Sequence, residues 1–167
     1  MPLTYLVFAF MVVCQSEAGV RRKRDVFDLK HTLECAGLDG PRTACDLVGY
    51  GNWCGLGWTL GFGGAGGSEQ EPMDNIDACC EVHDICYLDV QHVCNLWTYQ
   101  QTLFVGFDFT CDHRSNRVHC NPGQNECNKV KCECDRDFAH CVHKHLHEYD
   151  PDKQNSAWQT VAPVFCL

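Results

Sequence analysis

The chain has 167 residues, a length that fits one ordinary domain, and it carries a net charge of −9. Its 15 cysteines are far too many for a reducing compartment, so we expect a secreted fold held by disulfide bonds. The acidic balance argues against nucleic acid and anionic lipid surfaces as partners, because like charges repel.

The first 24 residues have the pattern of targeting and processing segments. Residues 3–13 are almost wholly apolar but too short to span a bilayer, and a small-residue cleavage site ends at Ala18. The basic run from Arg21 to Arg24 is typical of a processing site more than of a solvated patch at this place. The prediction is a signal peptide over residues 1–18, a propeptide over 19–24 and one domain over 25–167. Cleavage leaves a net charge near −12.

The domain opens with a predicted amphipathic helix over about residues 25–34. Val26, Leu29 and Leu33 fall on one face of this helix. Phe27 lies off that face, and we expect its side chain to be exposed.

A glycine-rich loop follows at residues 50–57 and is called the glycine loop below. Glycines at three of its eight positions are too frequent for a helix or a strand. Glycine reaches left-handed conformations cheaply and lets backbone carbonyls approach a ligand, and a hard cation needs several oxygens. By itself the pattern also fits a plain turn. Residues 58–70 then combine large apolar side chains with a flexible glycine tract.

The second predicted helix carries the central pattern of the chain. The run from Asp77 to Tyr87 has no glycine or proline and opens with an aspartate that can cap a helix. On such a helix Cys79, His83 and Cys86 share one face, because steps of three, four and seven residues are near whole turns.

A third predicted helix, over about residues 125–148, repeats the seven-residue step between Cys134 and Cys141. Two antiparallel helices could therefore be joined twice, with His83 held between the two bonds. Asp135 would then lie within about one turn of His83, close enough for a carboxylate to orient an imidazole. The bonds would join Cys79 to Cys141 and Cys86 to Cys134.

A small two-stranded flap is predicted between these helices, since residues 104–110 suggest a strand and residues 121–123 a turn. The tail over residues 149–167 contains two prolines and is expected to wrap the surface. The predicted fold is mainly α and disulfide-rich, with two antiparallel disulfide-stapled helices, an N-terminal helix, the glycine loop and the flap.

Three motifs in order give the chain a resemblance to the secreted, calcium-dependent phospholipase A2 family. They are Tyr50-Gly-Asn-Trp-Cys-Gly-Leu-Gly57, Cys79-Cys80-x-x-His83-Asp84-x-Cys86-Tyr87 and Cys134-Asp135. The resemblance covers roughly residues 25–141. It implies hydrolysis of the sn-2 ester of a glycerophospholipid, and it implies that the glycine loop binds calcium.

The resemblance also implies roles for individual residues. His83, oriented by Asp135, would act as general base on a water molecule, while one calcium ion polarises the ester carbonyl and binds the phosphate. The Gly55 N–H would help to stabilise the oxyanion. The implied calcium ligands are the carbonyls of Trp53, Gly55 and Gly57 and the side chain of Asp84. A single formal carboxylate implies weak binding, on the order of 10⁻⁴ to 10⁻³ M.

The surroundings of Asp135 leave alternatives open. Tyr87 is either a packing residue or a hydrogen-bond donor. The family usually has a second tyrosine on the flap where this chain has Phe107, so we expect the network behind Asp135 to lose one hydroxyl. Asp135 could instead be a buried salt-bridge partner in the neighbourhood of Arg136.

Lipid contact is expected through apolar side chains. The resemblance places the N-terminal helix on the lipid-facing surface, and Trp and Phe beside the glycine loop favour a membrane interface. Since the domain is acidic, we expect insertion to favour zwitterionic surfaces. Alternatively, the aromatic residues near the loop pack beneath residues 58–70 as a satellite core. The predicted interfacial residues are Val26, Phe27, Leu56, Trp58, Leu60 and Phe62.

Fourteen cysteines remain once Cys14 leaves with the signal peptide, an even number that fits seven bonds. To the two bonds between helices the resemblance adds Cys35–Cys111, Cys54–Cys80, Cys94–Cys127 and Cys120–Cys132. Cys45 and Cys166 are then left to form a seventh bond, unless both are free thiols.

Other chemistries fit less well. A serine nucleophile is disfavoured because no Gly-x-Ser-x-Gly turn surrounds Ser68, Ser115 or Ser156. A cysteine nucleophile is equally poor, because nearly every cysteine has a disulfide partner. The main rival is a binding protein that keeps the scaffold and has lost hydrolysis. Against the family pattern, residues 58–70 hold about ten extra residues and Trp58 stands where a glycine is usual, so this insertion beside the glycine loop keeps that alternative open.

Four histidines near the end of the third helix suggest a metal site. Partly protonated histidines are also favoured at a helix C-terminus, and we prefer that explanation. The histidines are His140, His143, His145 and His147.

Overall fold

The computed structural model describes residues 26–40, 43–55 and 70–154, without the side chains of Val26 and Phe27. Within these ranges the helices and strands are α1 (Val26–Cys35), α2 (Asn75–Val93), β1 (Phe109–Asp112), β2 (Arg117–Cys120) and α3 (Glu126–His145). Short 3₁₀ turns lie at Ala44–Leu47, Tyr99–Phe104, Leu146–Glu148 and Pro151–Lys153. The predicted signal peptide and propeptide, and most of the tail, fall outside the described residues. No helix in the described ranges is long and apolar enough to cross a bilayer.

α2 and α3 are the two long helices that the cysteine spacing predicted. α2 begins before Asp77, because the side chain of Asp74 accepts the N–H of Asp77 and caps the first turn. α3 begins after Asn125, whose side chain accepts the N–H of Asn128. Three basic residues occupy the last turn of α3, where the helix dipole favours positive charge.

The main core lies where α1, the glycine loop, α2 and α3 meet. Leu33, Tyr50, Ile76 and Val142 are buried there together. Tyr50 is fully buried and stacks against Tyr149, with ring centroids 5.0 Å apart. Burying an apolar side chain of this size contributes roughly 1.5–3 kcal/mol, so the core that joins the helices also fixes the glycine loop.

The predicted flap is present, but its position along the chain differs. β1 begins at Phe109 rather than covering residues 104–110, and it pairs antiparallel with β2. The hairpin turns at residues 113–116 and not at residues 121–123. The aromatic side chains that suggested an earlier strand serve the core instead, since Phe107 is only 1% exposed.

Six disulfide bonds lie within the described residues. Two of them join α2 to α3, and they are Cys79–Cys141 and Cys86–Cys134. The other four are the pairs that the resemblance implied, Cys35–Cys111, Cys54–Cys80, Cys94–Cys127 and Cys120–Cys132. A disulfide bond typically contributes about 2–4 kcal/mol to stability. Cys45 is disulfide-bonded as well, while Cys166 lies outside the described residues.

Candidate active site

The disulfide bonds between α2 and α3 bring His83 and Asp135 together. His83 Nε2 lies 2.9 Å from Asp135 Oδ1, and both side chains are buried. Because an ionised carboxylate only accepts hydrogen bonds, Nε2 carries the proton and Nδ1 is the nitrogen that can take one. The rings of Tyr87 and Phe138 pack on the imidazole at centroid distances of 4.2 Å and 4.4 Å. These contacts fix both the orientation and the tautomer of His83.

The electrostatic surroundings keep the His83 imidazole neutral at rest. Burial lowers the pKa of His83 below its ordinary value of 6.5. The hydrogen bond and charge of Asp135 oppose that shift, and the charge of Lys131 adds to it. A neutral imidazole is the form that can act as a general base.

Asp135 accepts hydrogen bonds from three side chains. Besides His83, the Tyr87 hydroxyl donates to Oδ1 at 2.7 Å, and Lys131 Nζ donates to Oδ2 at 2.6 Å. Burial alone would raise the pKa of Asp135, but the charge of Lys131 and the contacts with His83 outweigh burial and lower it below 3.8. The salt bridge of Asp135 is therefore with Lys131 and not with Arg136, which pairs with the next residue along the helix.

Sequence reasoning missed Lys131. It stands four residues before Asp135, so both side chains share one face of α3. A lysine on the buried face of a helix is the signal that could have identified it. Phe107 lacks the hydroxyl that the family usually supplies, but the network is not one donor short, because the Lys131 ammonium donates to Asp135. Tyr87 is both a packing residue, at 2% exposure, and a donor.

The glycine loop is held by the buried carboxylate of Asp77. Oδ1 accepts the N–H of Trp53 at 2.7 Å, and Oδ2 accepts the N–H groups of Asn52 at 2.8 Å and Met73 at 2.9 Å. Sequence reasoning gave Asp77 the capping role that Asp74 performs. The side chain of Asp77 instead ties the loop to the start of α2.

Carbonyl oxygens of the glycine loop are available to a ligand. The Tyr50 carbonyl accepts the N–H of Cys54, and the Cys54 carbonyl accepts the N–H of Gly49, just before the loop. The carbonyls of Trp53 and Gly55 accept no hydrogen bond from any residue that the structure describes. Gly57, the third implied carbonyl ligand, lies outside the described residues.

Asp84 follows His83 on α2 and lines the same cavity. The Tyr99 hydroxyl donates to Asp84 Oδ1 at 3.2 Å. Burial raises the pKa of Asp84 to about 7, and the hydrogen bond from Tyr99 opposes the shift. A half-buried carboxylate of this kind is favoured in its charged form by a bound cation, and a donor set of one carboxylate and backbone carbonyls suits calcium. The residues present therefore fit a calcium ion.

The cavity beside His83 is mostly apolar. Its polar part is formed by His83, Asp84 and the backbone at Gly55. A cavity with this division suits a molecule that joins an acyl chain to a polar group. The apolar lining comes from α1, the 3₁₀ turn after it, α3 and the segment before β1, with Leu29, Leu33, Leu47, Val48, Leu103 and Phe138 among its residues.

The predicted interfacial residues remain predictions. Leu56, Trp58, Leu60 and Phe62 lie outside the described residues, as do the side chains of Val26 and Phe27. Trp53, also near the loop, packs against the main core and donates its Nε1–H to the carbonyl of Gln70 at 2.9 Å.

Two of the α3 histidines have protein partners. His140 Nε2 accepts the N–H of Val118 at 3.1 Å, and His145 Nδ1 lies 2.7 Å from a carboxylate oxygen of Glu148. In the part of the chain that the structure describes, no three His, Cys, Asp or Glu side chains are grouped to hold a metal. The candidate calcium site described above differs from such a cluster, because most of its ligands would be backbone carbonyl oxygens.

Comparison with known proteins identifies the family of the chain. A sequence model of the phospholipase A2 family matches residues 26–154. A group 10 secretory phospholipase A2 of Rattus norvegicus is 37% identical over 134 residues, which cover 77% of this chain and 74% of the relative. A phospholipase A2 of Scolopendra dehaani is 32% identical over 154 residues, covering 89% of this chain and 93% of the relative.

The chain therefore belongs to the phospholipase A2 family. It is a secreted phospholipase A2, an enzyme stabilised by disulfide bonds that acts on phospholipid substrates at interfaces. The alternative hypothesis, a binding protein that has lost hydrolysis, is disfavoured because the buried His83–Asp135 pair is intact.

Proposed function

We propose that the chain is a calcium-dependent phospholipase A2 that hydrolyses the sn-2 ester of glycerophospholipids to a lysophospholipid and a free fatty acid. The observation that carries the proposal is the hydrogen-bonded pair of His83 and Asp135 at the wall of an apolar cavity. The same cavity exposes the Asp84 carboxylate and the backbone of Gly55. The base, the candidate cation ligands and the acyl-chain space therefore adjoin one another.

The proposed chemistry begins at His83 Nδ1. This nitrogen takes a proton from a water molecule while the water oxygen attacks the ester carbon. The Nε2–H bond to Asp135 strengthens as the imidazole becomes positively charged. The bond between the ester carbon and the alcohol oxygen then breaks, the proton passes from His83 to that oxygen, and His83 returns to its neutral form. The exposed N–H of Gly55 is the proposed donor to the oxyanion.

The proposed calcium site uses the carbonyls of Trp53, Gly55 and Gly57 and the carboxylate of Asp84. The chemistry that bound calcium supplies is positive charge at the ester carbonyl and at the phosphate. Support comes from the Trp53 and Gly55 carbonyls, which accept no hydrogen bond from the described residues, and from the half-buried Asp84 carboxylate beside His83. With one formal charge among the ligands, we expect a dissociation constant on the order of 10⁻⁴ to 10⁻³ M.

We also infer a preference for zwitterionic lipid surfaces. A net charge of −9, or near −12 after cleavage at Arg24, opposes approach to anionic lipids. Binding then rests on apolar insertion by the predicted interfacial residues. Vesicles of phosphatidylcholine should bind the protein with little response to salt. A strong preference for anionic vesicles that high salt abolishes would contradict this inference.

Release of fatty acid from mixed micelles tests the hydrolytic proposal. Activity should require calcium and should be lost in His83→Gln and in Asp84→Asn. His92→Gln and Asp89→Asn are matched controls, because both residues are exposed on the same helix, and each should keep the full rate. Equal hydrolysis in calcium and in excess chelator would overturn the proposal.

A further inference from the structure

Lys131 is a charged side chain in the interior. It is 3% exposed, and a lysine is almost never buried to this degree without a partner. Its Nζ donates to Asp135 Oδ2 at 2.6 Å and also donates to the Tyr87 hydroxyl. The ammonium lies 4.1 Å from the Tyr87 ring centroid and 5.6 Å from that of Phe107. Asp135 bonds to the ammonium, two aromatic rings flank it, and the negative charge of the buried Asp28 also acts on it.

The donors of Asp135 divide between its two oxygens. Oδ1 accepts from His83 and Tyr87, and Oδ2 accepts from Lys131. Hydrogen bonds on both oxygens prevent the carboxylate from rotating about its Cβ–Cγ bond, so Oδ1 stays aimed at His83. Without the bond to Oδ2 only one edge of the carboxylate would be held.

Asp135 also needs a positive charge beside it in the resting site. Asp135 is fully buried, and a buried carboxylate without a counter-ion is costly. His83 cannot be that counter-ion at rest, because a general base must be neutral before it takes a proton. Tyr87 is a neutral donor. Among the described residues, Lys131 is therefore the cation that balances Asp135 in the resting site.

We propose that Lys131 is a positioning residue of the hydrolytic site: it keeps Asp135 ionised and oriented, so that Asp135 in turn holds His83 with Nδ1 available to water. The proposal rests on the function proposed above. Lys131 itself touches neither substrate nor water in this scheme, and it acts through Asp135.

Lys131→Met tests the proposal, because it removes the ammonium and keeps an unbranched side chain of similar length. At saturating calcium we expect kcat on mixed micelles to fall on the order of tenfold or more, since a positioned base contributes roughly 10²–10⁴ to the rate. The KM for micelles and the calcium concentration for half-maximal activity should change less than about twofold. Lys129→Met, on the exposed side of the same helix, should keep the wild-type kcat.

A rescue variant separates positioning from simple structural support. Phe107 is buried beside the Lys131 ammonium, so a hydroxyl placed there is the nearest substitute donor. The double variant Lys131→Met with Phe107→Tyr should recover part of the lost kcat, because the new hydroxyl replaces the hydrogen bond to Asp135 but not the positive charge. Wild-type kcat in Lys131→Met, or a folded double variant as inactive as the single one, would overturn the proposal.

A measurement without substrate separates failure of this proposal from failure of the proposed function. In the wild-type protein, the His83 Nε2–H that bonds to a carboxylate should give a downfield proton resonance. Lys131→Met should shift that resonance or speed its exchange with water, and the double variant should restore it. An unchanged resonance in Lys131→Met would overturn the role of Lys131 even if hydrolysis is confirmed. The expected change would support that role even in a protein that hydrolyses no ester.

Discussion

Gly51 lies so close to Asp77 that a Cβ atom on Gly51 would stand 2.3 Å from the Asp77 carboxyl carbon. Gly51 also has a φ of +61°, in the left-handed region that favours glycine. The carboxylate of Asp77 in turn holds the backbone of the glycine loop through Asn52 and Trp53. The loop geometry therefore depends on the absence of a side chain at position 51.

Gly51→Ala should weaken calcium binding by about 10- to 100-fold, the usual range for losing a residue that supports a metal ligand. The new methyl group displaces Asp77 and with it the backbone that carries the Trp53 and Gly55 carbonyls. Calorimetric titration with calcium measures the effect. Gly40→Ala is the control, since no atom lies within 4 Å of a Cβ at that position. Equal calcium affinity in the two variants would contradict this account of the loop.

Asp135→Asn should destabilise the folded protein and also lower the rate of hydrolysis. The substitution leaves the Lys131 ammonium buried without its counter-ion, and removing one partner of a buried ion pair costs about 3–5 kcal/mol. Adding Lys131→Met removes both charges and should recover most of the lost stability. It should not recover kcat, because a neutral asparagine cannot stabilise the imidazolium of His83.

Denaturant unfolding at neutral pH measures these stabilities. The control is Glu126→Gln, which breaks the exposed pair of Glu126 with Lys129 and should change the unfolding free energy by less than about 1 kcal/mol. A double variant no more stable than Asp135→Asn alone would show that the two charges do not balance each other.

The helix pairing could be predicted from the sequence because helical geometry is local and regular. A seven-residue step places two cysteines on one face whatever surrounds the helix, so the bonds Cys79–Cys141 and Cys86–Cys134 followed from spacing. The juxtaposition of His83 and Asp135 then follows from the same two bonds.

Features that depend on tertiary contacts could not be predicted in this way. The predicted start of β1 was wrong because burial of Phe107 in the core competes with strand pairing. The local sequence pattern does not show which of the two prevails. Asp77 contacts Trp53 across 24 residues of chain, and sequence patterns show only its own helix. Lys131 shares the α3 face of Asp135, but its position alone does not show the ion pair with Asp135 or the rings around the ammonium.

Stability should fall in acid through Asp74, which joins the glycine loop to the segment after α3. Burial would raise the pKa of Asp74, but hydrogen bonds from Lys153 at 2.8 Å and Tyr50 at 2.6 Å outweigh burial and lower it below 3.8. A carboxylate with a lowered pKa stabilises the fold fully above its unfolded pKa, and this stability is lost as the pH falls through the folded pKa.

Asp74→Asn should therefore lower the unfolding temperature at neutral pH. Below about pH 4, near the ordinary pKa of an aspartate, the unfolding temperature of this variant should decrease less than that of the wild type. Asp89→Asn, an exposed change on the same helix, should leave both the temperature and its pH dependence as in the wild type. Thermal scans between neutral pH and acid decide the matter. An identical acid profile in Asp74→Asn and wild type would exclude Asp74 as a source of the pH dependence.

The seventh disulfide should join Cys45 to Cys166. Cys45 lies in the 3₁₀ turn Ala44–Leu47 and is disulfide-bonded, whereas the other twelve described cysteines pair among themselves. If Cys14 leaves with the signal peptide, Cys166 is the cysteine that remains. Such a bond would close a loop of more than a hundred residues and should contribute about 2–4 kcal/mol, mainly by restricting the unfolded chain.

Peptide mapping of the unreduced, mature protein tests this pairing directly. The peptides that contain Cys45 and Cys166 should run as one species and separate on reduction. Cys45→Ser and Cys166→Ser should lower the unfolding free energy by similar amounts, and the double variant should lose no more than either one, because all three lack the same bond. An alkylated free thiol at Cys166 in the folded wild-type protein, or additive losses in the double variant, would show that Cys45 has another partner.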